Sequence, residues 1–129
     1  MLANAMAMPT LPAVDLKRSR KFYEDKLGLK VMMEDPSPGV TFKCGQGSML
    51  YVYQRAASKA DHTLAAFVVD NIEAEVLELK RKGVKFEEYD MPSMGIKTVN
   101  SIATMGASKD AWFKDSEGNI LAVTQFPKQ

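Results

Sequence analysis

Side chains with reactive chemistry are few in this chain, which has one histidine and one cysteine among its 129 residues. An imidazole titrates near neutral pH, so His62 could act as a general base if it were buried beside a substrate; a solvated surface histidine is the alternative. Tyr51 could donate its hydroxyl to a carbonyl or carboxylate, or it could simply fill volume. Cys44 has no His–acid pair near it in the sequence, so we expect a small packed residue.

Two glycine-containing segments look like binding loops but have the spacing of turns. Residues 115–119 form an acidic cluster that lacks the calcium-loop pattern, and Gly118 fits the positive-φ position of a β-turn. Residues 45–47, Gly-Gln-Gly, are followed by no helix, so they are predicted to form a hairpin turn and no phosphate cradle.

The composition narrows the classes of partner. Lys and Arg total 17 against 16 Asp and Glu, and the basic residues form no stripe, so nucleic acid is not an expected partner. No apolar stretch approaches the roughly 20 residues that a membrane helix needs, and residues 1–8 lack the features of a secretion signal. A single cysteine suits a reducing compartment, so we expect a soluble cytoplasmic protein without membrane partners.

The chain repeats the same order of predicted secondary-structure elements about 55 residues later. An apolar run over 6–14, a capping Asp15 and a helix ending at Gly28 are matched by a run over 62–69, Asn71 and a helix ending at Gly83. Each copy ends in a glycine turn that leads into a strand. We therefore predict one domain over 1–129, with module one at about 6–54, a linker at 55–61 and module two at about 62–126.

Each module is predicted to run strand, helix, three strands. Residues 90–106 have the weakest secondary-structure pattern, because Pro92, Gly95 and Gly106 interrupt them around a possible strand at 102–105. A lid and an ordinary loop are both open interpretations of this segment. Apolar or alternating runs predict the remaining strands at 31–33, 40–44, 49–53, 64–69, 84–89, 111–113 and 120–124.

Several short motifs carry a family resemblance. They are Val14-Asp15-Leu16, Arg18-Ser19, Phe22-Tyr23, Leu27-Gly28-Leu29, Trp112-Phe113-Lys114-Asp115 and Glu117-Gly118-Asn119. Together they resemble the vicinal oxygen chelate superfamily, the group of glyoxalase I, extradiol dioxygenases, fosfomycin-resistance enzymes and bleomycin-binding proteins. The resemblance implies an α+β fold of two tandem βαβββ modules, whose mixed sheets form an open cup or half-barrel with the helices outside. It also implies a homodimer.

In metal-binding relatives the first and last strands of each module supply His and Glu ligands to the cup. At the matching positions this sequence has Met8, Tyr51, Leu64 and Ala122. Thioether, phenol and hydrocarbon groups offer a divalent ion almost nothing, so no metal and no cofactor is expected there. A site displaced toward His62, two residues before Leu64, is the alternative.

The period of two along a strand predicts what else faces the cup. Leu50, Val52, Ala65, Phe67, Leu121 and Val123 are predicted to face the helices, whereas Met6, Ala66 and Ile120 share the cup face. Trp112 could stack on a flat ligand, or be a half-exposed structural residue. The predicted ligand-binding residues are Met8, Met49, Tyr51, Tyr53, His62, Leu64, Trp112, Ala122 and Thr124.

These residues favour a metal-independent protein that sequesters a small planar or amphipathic molecule, as the bleomycin-binding branch does. A cavity filled by its own Met and Tyr side chains is the structural alternative. The functional alternative is an enzyme: a lyase or isomerase acting without metal through His62 and Tyr51, or a glyoxalase-like or dioxygenase-like enzyme with a displaced divalent metal. The sequence contains no convincing nucleophile–base pair, which favours the binding protein.

Overall fold

A computed structural model describes residues 1–128, which divide into two units. The first comprises Met1–Lys59 with Asp115–Asn119, and the second comprises Ala60–Lys114 and the chain from Ile120 onward. Each unit contains one α-helix and one mixed sheet, so the architecture is α+β as predicted. Neither α-helix within residues 1–128 has the length and apolar character needed to cross a membrane.

The first unit has a four-stranded sheet of order β1-β4-β3-β2, in which β1 and β4 are parallel and the other pairs antiparallel. Its helix α1 begins after Asp15, whose carboxylate accepts from the Arg18 N–H at 3.0 Å, and the chain turns at Gly28 with φ 70°. The elements are β1 Thr10–Ala13, α1 Leu16–Asp25, β2 Lys30–Asp35, β3 Gly39–Lys43 and β4 Met49–Gln54.

Alternation along these strands gives the first unit its core. Tyr23 of α1 packs on Phe42 with ring centroids 5.3 Å apart, and both side chains are fully buried. Leu11, Ala13, Val40, Leu50 and Val52 are buried at the alternating strand positions that register places on the Phe42 face. This face is therefore a hydrophobic core, as the period of two predicts.

The second unit has a six-stranded sheet of order β5-β10-β9-β8-β7-β6, in which β5 and β10 are parallel. Its helix α2 is capped by Asn71, which accepts from the Ala74 N–H at 3.1 Å. Ile72, Val76, Phe113, Leu121 and Val123 are buried in its core. The elements are β5 Ala65–Val68, α2 Ile72–Arg81, β6 Asp90–Met91, β7 Ile96–Val99, β8 Ile102–Met105, β9 Ser108–Lys114 and β10 Ile120–Gln125.

The structure corrects the predicted strand at 84–89 and shows the secondary structure of residues 90–106. Residues 84–89 form only an isolated bridge, Phe86 to Phe113, because the chain then passes from β9 to β7, where the Tyr89 N–H donates to the Thr98 hydroxyl at 2.8 Å and the Tyr89 carbonyl accepts from the Thr98 N–H at 2.8 Å. Residues 90–106 contribute β6, β7 and β8 to the sheet, where we expected a lid or loop around one possible strand. The strand at 102–105 is confirmed.

Candidate functional site

The first unit presents two tyrosines on the sheet face opposite its core. Tyr51 and Tyr53 alternate along β4, and their rings stack at 5.8 Å with an interplanar angle of 7°. Both are half-buried, and the register places Thr10 and Thr41 on either side of Tyr51. The result is a flat aromatic surface bordered by hydroxyl groups.

The Tyr51 hydroxyl is held by residues that the sequence analysis did not single out. It donates to Asp35 Oδ2 at 2.9 Å and lies 3.2 Å from Ser37 Oγ. Hydrogen bonds from Ser37 and Tyr51 lower the pKa of the Asp35 carboxyl. Because the phenolic hydrogen points at a carboxylate, the oxygen lone pairs of Tyr51 are what it can offer a ligand.

Gly39 makes room for this arrangement. A Cβ atom at Gly39 would overlap the Tyr51 hydroxyl and crowd the Asp35 carboxylate. Gly39 lies opposite Tyr53 in the register and is itself buried. A glycine is therefore required for close approach of the Tyr51 ring tip to the neighbouring strand.

The two predicted methionines of this unit lie toward the start of their strands. Met49 begins β4 opposite Lys43 and is half-buried. Met8 precedes β1 and is 38% exposed, and its carbonyl accepts from the Thr10 hydroxyl at 3.4 Å. Met49 is two residues before Tyr51, and Met8 is two residues before Thr10, the register partner of Tyr51. Both methionines therefore occupy positions that the alternation along the strands assigns to the Tyr51 face of the sheet.

In the second unit, one sheet face collects most of the other predicted residues. Ala122 lies between Ala66 of β5 and Trp112 of β9. Thr124 lies opposite Asp110 and donates its hydroxyl to that carboxylate at 2.6 Å. Leu64, half-buried just before β5, donates its N–H to the Ile120 carbonyl at 2.9 Å.

Trp112 has an aromatic partner that the sequence did not reveal. The Tyr89 ring meets it edge to face, with centroids 5.4 Å apart and an interplanar angle of 68°. Asp110 shares the strand parity of Trp112, so an aromatic pair again lies on the same face as a carboxylate. Each unit thus combines two rings with an aspartate that binds a neighbouring hydroxyl.

His62 occupies an exposed bend before β5. Its side chain is 71% exposed, and its Nδ1 lies 3.7 Å from Asp61 Oδ1. This is the solvated surface arrangement, without the burial that a general base beside a substrate would have. Within the second unit, therefore, Trp112, Ala122 and Thr124 are neighbours in the sheet, whereas His62 lies outside its strands.

The donor chemistry does not fit the divalent metal that the resemblance implies. A thioether at Met8, a phenol already bound to Asp35 at Tyr51, and the hydrocarbon side chains of Leu64 and Ala122 replace imidazole and carboxylate ligands. Within residues 1–128, no group of three or more His, Cys, Asp or Glu side chains is placed to hold a metal ion.

Comparison with known proteins agrees with the fold. A family model described as Glyoxalase/Bleomycin resistance protein/Dioxygenase superfamily matches residues 5–123. None of the curated proteins matches the chain.

Three solved structures illustrate the range of similar folds. TnmS3, an antibiotic binding protein from Streptomyces sp. CB03234, is 16% identical with a TM-score of 0.72, and the match covers 99% of both chains. Lactoylglutathione lyase from Agrobacterium tumefaciens is 26% identical with a TM-score of 0.64, covering 95% of this chain and 93% of that one. The fosfomycin resistance protein FosX from Listeria monocytogenes, complexed with Mn(II), is 14% identical with a TM-score of 0.63, covering 95% of this chain and 90% of that one.

The family match spans nearly the whole chain, and the helices and mixed sheets are those that the motifs led us to expect. The chain therefore belongs to the Glyoxalase/Bleomycin resistance protein/Dioxygenase superfamily.

Proposed function

We propose that this protein binds a small planar or amphipathic molecule without a metal ion and acts by sequestering it. The observation that carries the proposal is the stacked pair of Tyr51 and Tyr53, with Asp35 at the Tyr51 hydroxyl. Tyr51 stands where metal-binding relatives would have a ligand. An aromatic surface with polar handles has replaced metal chemistry at that position.

The polar handles favour a particular kind of ligand. Asp35 is an acceptor, and the Tyr51 oxygen keeps its lone pairs because its hydrogen is donated to Asp35. Asp110 likewise accepts from Thr124 on the face that carries Trp112. We therefore expect a flat ligand that carries N–H or O–H donors at its edge, stacked on tyrosine or tryptophan rings.

The structural neighbours are compatible with this proposal. TnmS3 is described as an antibiotic binding protein, and its fold superposes on nearly all of this chain. At 16% identity the likeness speaks for the fold alone. The choice of planar aromatic compounds as the first molecules to test therefore depends on the tyrosine and tryptophan rings of this chain.

The test begins with native mass spectrometry of the purified protein, to detect an organic molecule that remains bound. A panel of planar aromatic compounds is then titrated while Trp112 fluorescence is followed. For a compound that binds, Tyr53→Leu removes one stacking ring and is expected to weaken binding by about two- to tenfold, from a ring contact worth roughly 0.5–1.5 kcal/mol beyond its buried area. Phe126→Leu, which removes an exposed ring outside the strands, serves as the control.

If Tyr53→Leu and Tyr51→Phe both kept the wild-type affinity, the placement of the ligand on this sheet face would be wrong. The two variants separate two contributions: Tyr53→Leu removes ring area, whereas Tyr51→Phe removes only the oxygen that contacts Asp35.

A second candidate function is favoured by the 26% identity to lactoylglutathione lyase. It is a lyase or isomerase of the glyoxalase type that acts through His62 and Tyr51, or with a displaced divalent metal. Turnover of lactoylglutathione that is lost in His62→Ala would support the metal-free form. Stoichiometric metal in elemental analysis of the purified protein would support the metal-dependent form. If neither turnover nor metal is found, sequestration stands as the proposed function.

We further propose that the chain works as one domain in a cytoplasmic homodimer. The edge strand β5 exposes Val68, which is 64% exposed, and β1 is the edge of the other sheet. Open edges of this kind are commonly covered by a partner. Light scattering coupled to size exclusion would give twice the chain mass of 14.3 kDa if this holds.

A further inference from the structure

A cavity lies within the second unit, on the opposite side of its sheet from Trp112 and Thr124. Its volume is about 340 Å³, and its lining comes from the start of α2 and from β7, β8 and β9. Lys109 lines it, and the adjacent Asp110, which binds Thr124, faces the other way. The cavity is therefore separate from the proposed ligand-binding face.

Sheet register places two lysines and a hydroxyl in one row. Thr104 of β8 lies opposite Lys109 of β9, and the pairing of Thr98 with Ala103 places Lys97 of β7 opposite Thr104. Neighbouring strands are about 4.8 Å apart, so the two lysine backbones are separated by roughly 10 Å. Lysine side chains are long enough to converge on one anion above the threonine between them.

The next row of the sheet supplies an apolar wall. Val99 and Ile102 are a register pair and both line the cavity. They flank a two-residue turn, Asn100 and Ser101, with φ values of 52° and 74°. A cationic row thus adjoins two aliphatic side chains, the arrangement that suits an acid group on a short apolar body.

Glu88 fixes the turn that forms the rim. Its carboxylate accepts from the Ser101 N–H at 3.1 Å, from the Ser101 hydroxyl at 2.7 Å and from the Thr98 hydroxyl at 2.7 Å. Three bonds to one carboxylate stabilise a backbone conformation that residues other than glycine seldom adopt. The rim is therefore formed before any ligand arrives.

The cavity contains its own competing carboxylate. Glu73 of α2 accepts from Lys109 Nζ at 2.6 Å, and this hydrogen bond lowers the pKa of the Glu73 carboxyl. Within residues 1–128, the Lys97 ammonium has no hydrogen-bond or ion-pair partner, although Asp90 lies opposite Lys97 in the register of β6 and β7. The Lys97 ammonium can therefore bind an anion directly. Lys109 must release the Glu73 carboxylate before it binds the acid group of a ligand.

We infer that this cavity binds a small organic oxyanion, a phosphate or carboxylate on a short aliphatic body. Lys97, Lys109 and the Thr104 hydroxyl hold the acid group, and Val99 and Ile102 contact the aliphatic part. A volume of about 340 Å³ lies near the lower end of the range for small-molecule sites, so the ligand is small.

The test is a titration of ¹⁵N-labelled protein at low ionic strength with inorganic phosphate, n-butyl phosphate and n-butyrate, followed by amide chemical shifts. The expected result is shifts confined to residues 97–104, 109 and the start of α2, with n-butyl phosphate binding more tightly than inorganic phosphate. The tighter of the two butyl compounds identifies the acid group.

Two substitutions have opposite expected effects. Lys97→Gln removes a charged partner and should weaken binding about tenfold, while Lys97→Arg restores it. Glu73→Gln removes the competitor for Lys109 and should strengthen binding about threefold. Lys85→Gln, at an exposed lysine of the same unit, is the matched control and should change nothing.

Three outcomes would overturn the inference. Equal weakening by Lys85→Gln and Lys97→Gln would show an adventitious ion attracted by overall charge. A Glu73→Gln variant that binds no better than wild type would show that Lys109 does not contact the anion. Shifts elsewhere in the chain would place the anion at another site.

Discussion

Replacing Tyr23 with phenylalanine would remove one hydroxyl from the buried polar centre of the first unit. Tyr23 is fully buried, and its hydroxyl donates to Asp115 Oδ2 at 2.6 Å. Asp115 is only 5% exposed and also accepts from the N–H groups of Glu117 and Asn119 and from the Asn119 side chain. The phenol therefore supplies one of the bonds that satisfy a buried carboxylate.

The expected loss follows from that count. A hydrogen bond to a charged group contributes about 1.5–3 kcal/mol, and a carboxylate left partly unsatisfied in the core costs toward the upper end. The deleted oxygen leaves little empty volume, so no large packing term is added. We expect Tyr23→Phe to lower the free energy of unfolding by about 2 kcal/mol, roughly a 30-fold change in the unfolding equilibrium.

The loss should also be independent of pH near neutrality. Burial, together with the adjacent Asp115 charge, holds the pKa of Tyr23 well above its usual range. The hydroxyl therefore stays protonated, and stays a donor, throughout the range in which an ordinary tyrosine approaches titration. Stability curves for wild type and variant should run parallel between about pH 6 and 9.

The assay is equilibrium urea unfolding, followed by Trp112 fluorescence and by circular dichroism. Tyr53→Phe, which removes a hydroxyl from the half-buried sheet face, is the control and should change the free energy by less than about 0.5 kcal/mol. A loss below 0.5 kcal/mol for Tyr23→Phe, at an unchanged denaturant slope, would refute the assignment of this bond as a stabilising contact of the core.

Three further predictions follow from other contacts. Burial alone would raise the pKa of Glu117, but hydrogen bonds from Arg18 and its other partners lower it to about 2, below the ordinary 4.5. Its contribution, about 2 kcal/mol after allowance for the half-exposed Arg18, is complete above pH 5 and is lost as the pH falls toward 2; Glu117→Gln should flatten acid unfolding curves over that window. Gly39→Ala should displace the Tyr51 ring and reduce the affinity of any ligand found for that face, measured by calorimetry, with a stability cost of about 1–3 kcal/mol. Asn71→Ala should remove the cap of α2 and lower thermal stability by about 1 kcal/mol, and an unchanged melting curve would contradict the cap.

Capping residues and terminal glycines were sufficient to predict where the two α-helices begin and end. Asp15 and Asn71 each accept from the backbone N–H three positions later, as the capping pattern predicts. Gly28 and Gly83 both have positive φ at the helix ends, where a residue with a Cβ would be strained. These features depend on a few consecutive residues, so the sequence alone predicts them.

The sequence of a segment and its near neighbours did not predict which segments beyond the hairpins pair as strands. Residues 84–89 begin with the alternation of apolar and charged side chains that is typical of a strand, yet only Phe86 forms a bridge, since Glu88 turns toward Ser101 and Thr98. Residues 90–106 looked irregular because glycine and proline interrupt them, and yet they add strands to the sheet. Pairing partners many residues away decide such segments.

The sequence by itself determined the chemistry available at the ligand positions, because a side chain's donor atoms are a property of its residue type. No fold can make the hydrocarbon side chain of Leu64 or Ala122 coordinate a divalent metal. Only the tertiary structure decided which groups lie together: Asp35 of β2 meets the Tyr51 hydroxyl of β4 across the intervening strand β3, and Lys97 lies in the row of Lys109 through two strand registers. Proximity across a sheet is set by backbone pairing, and a shift of one residue would turn every one of these side chains to the other face.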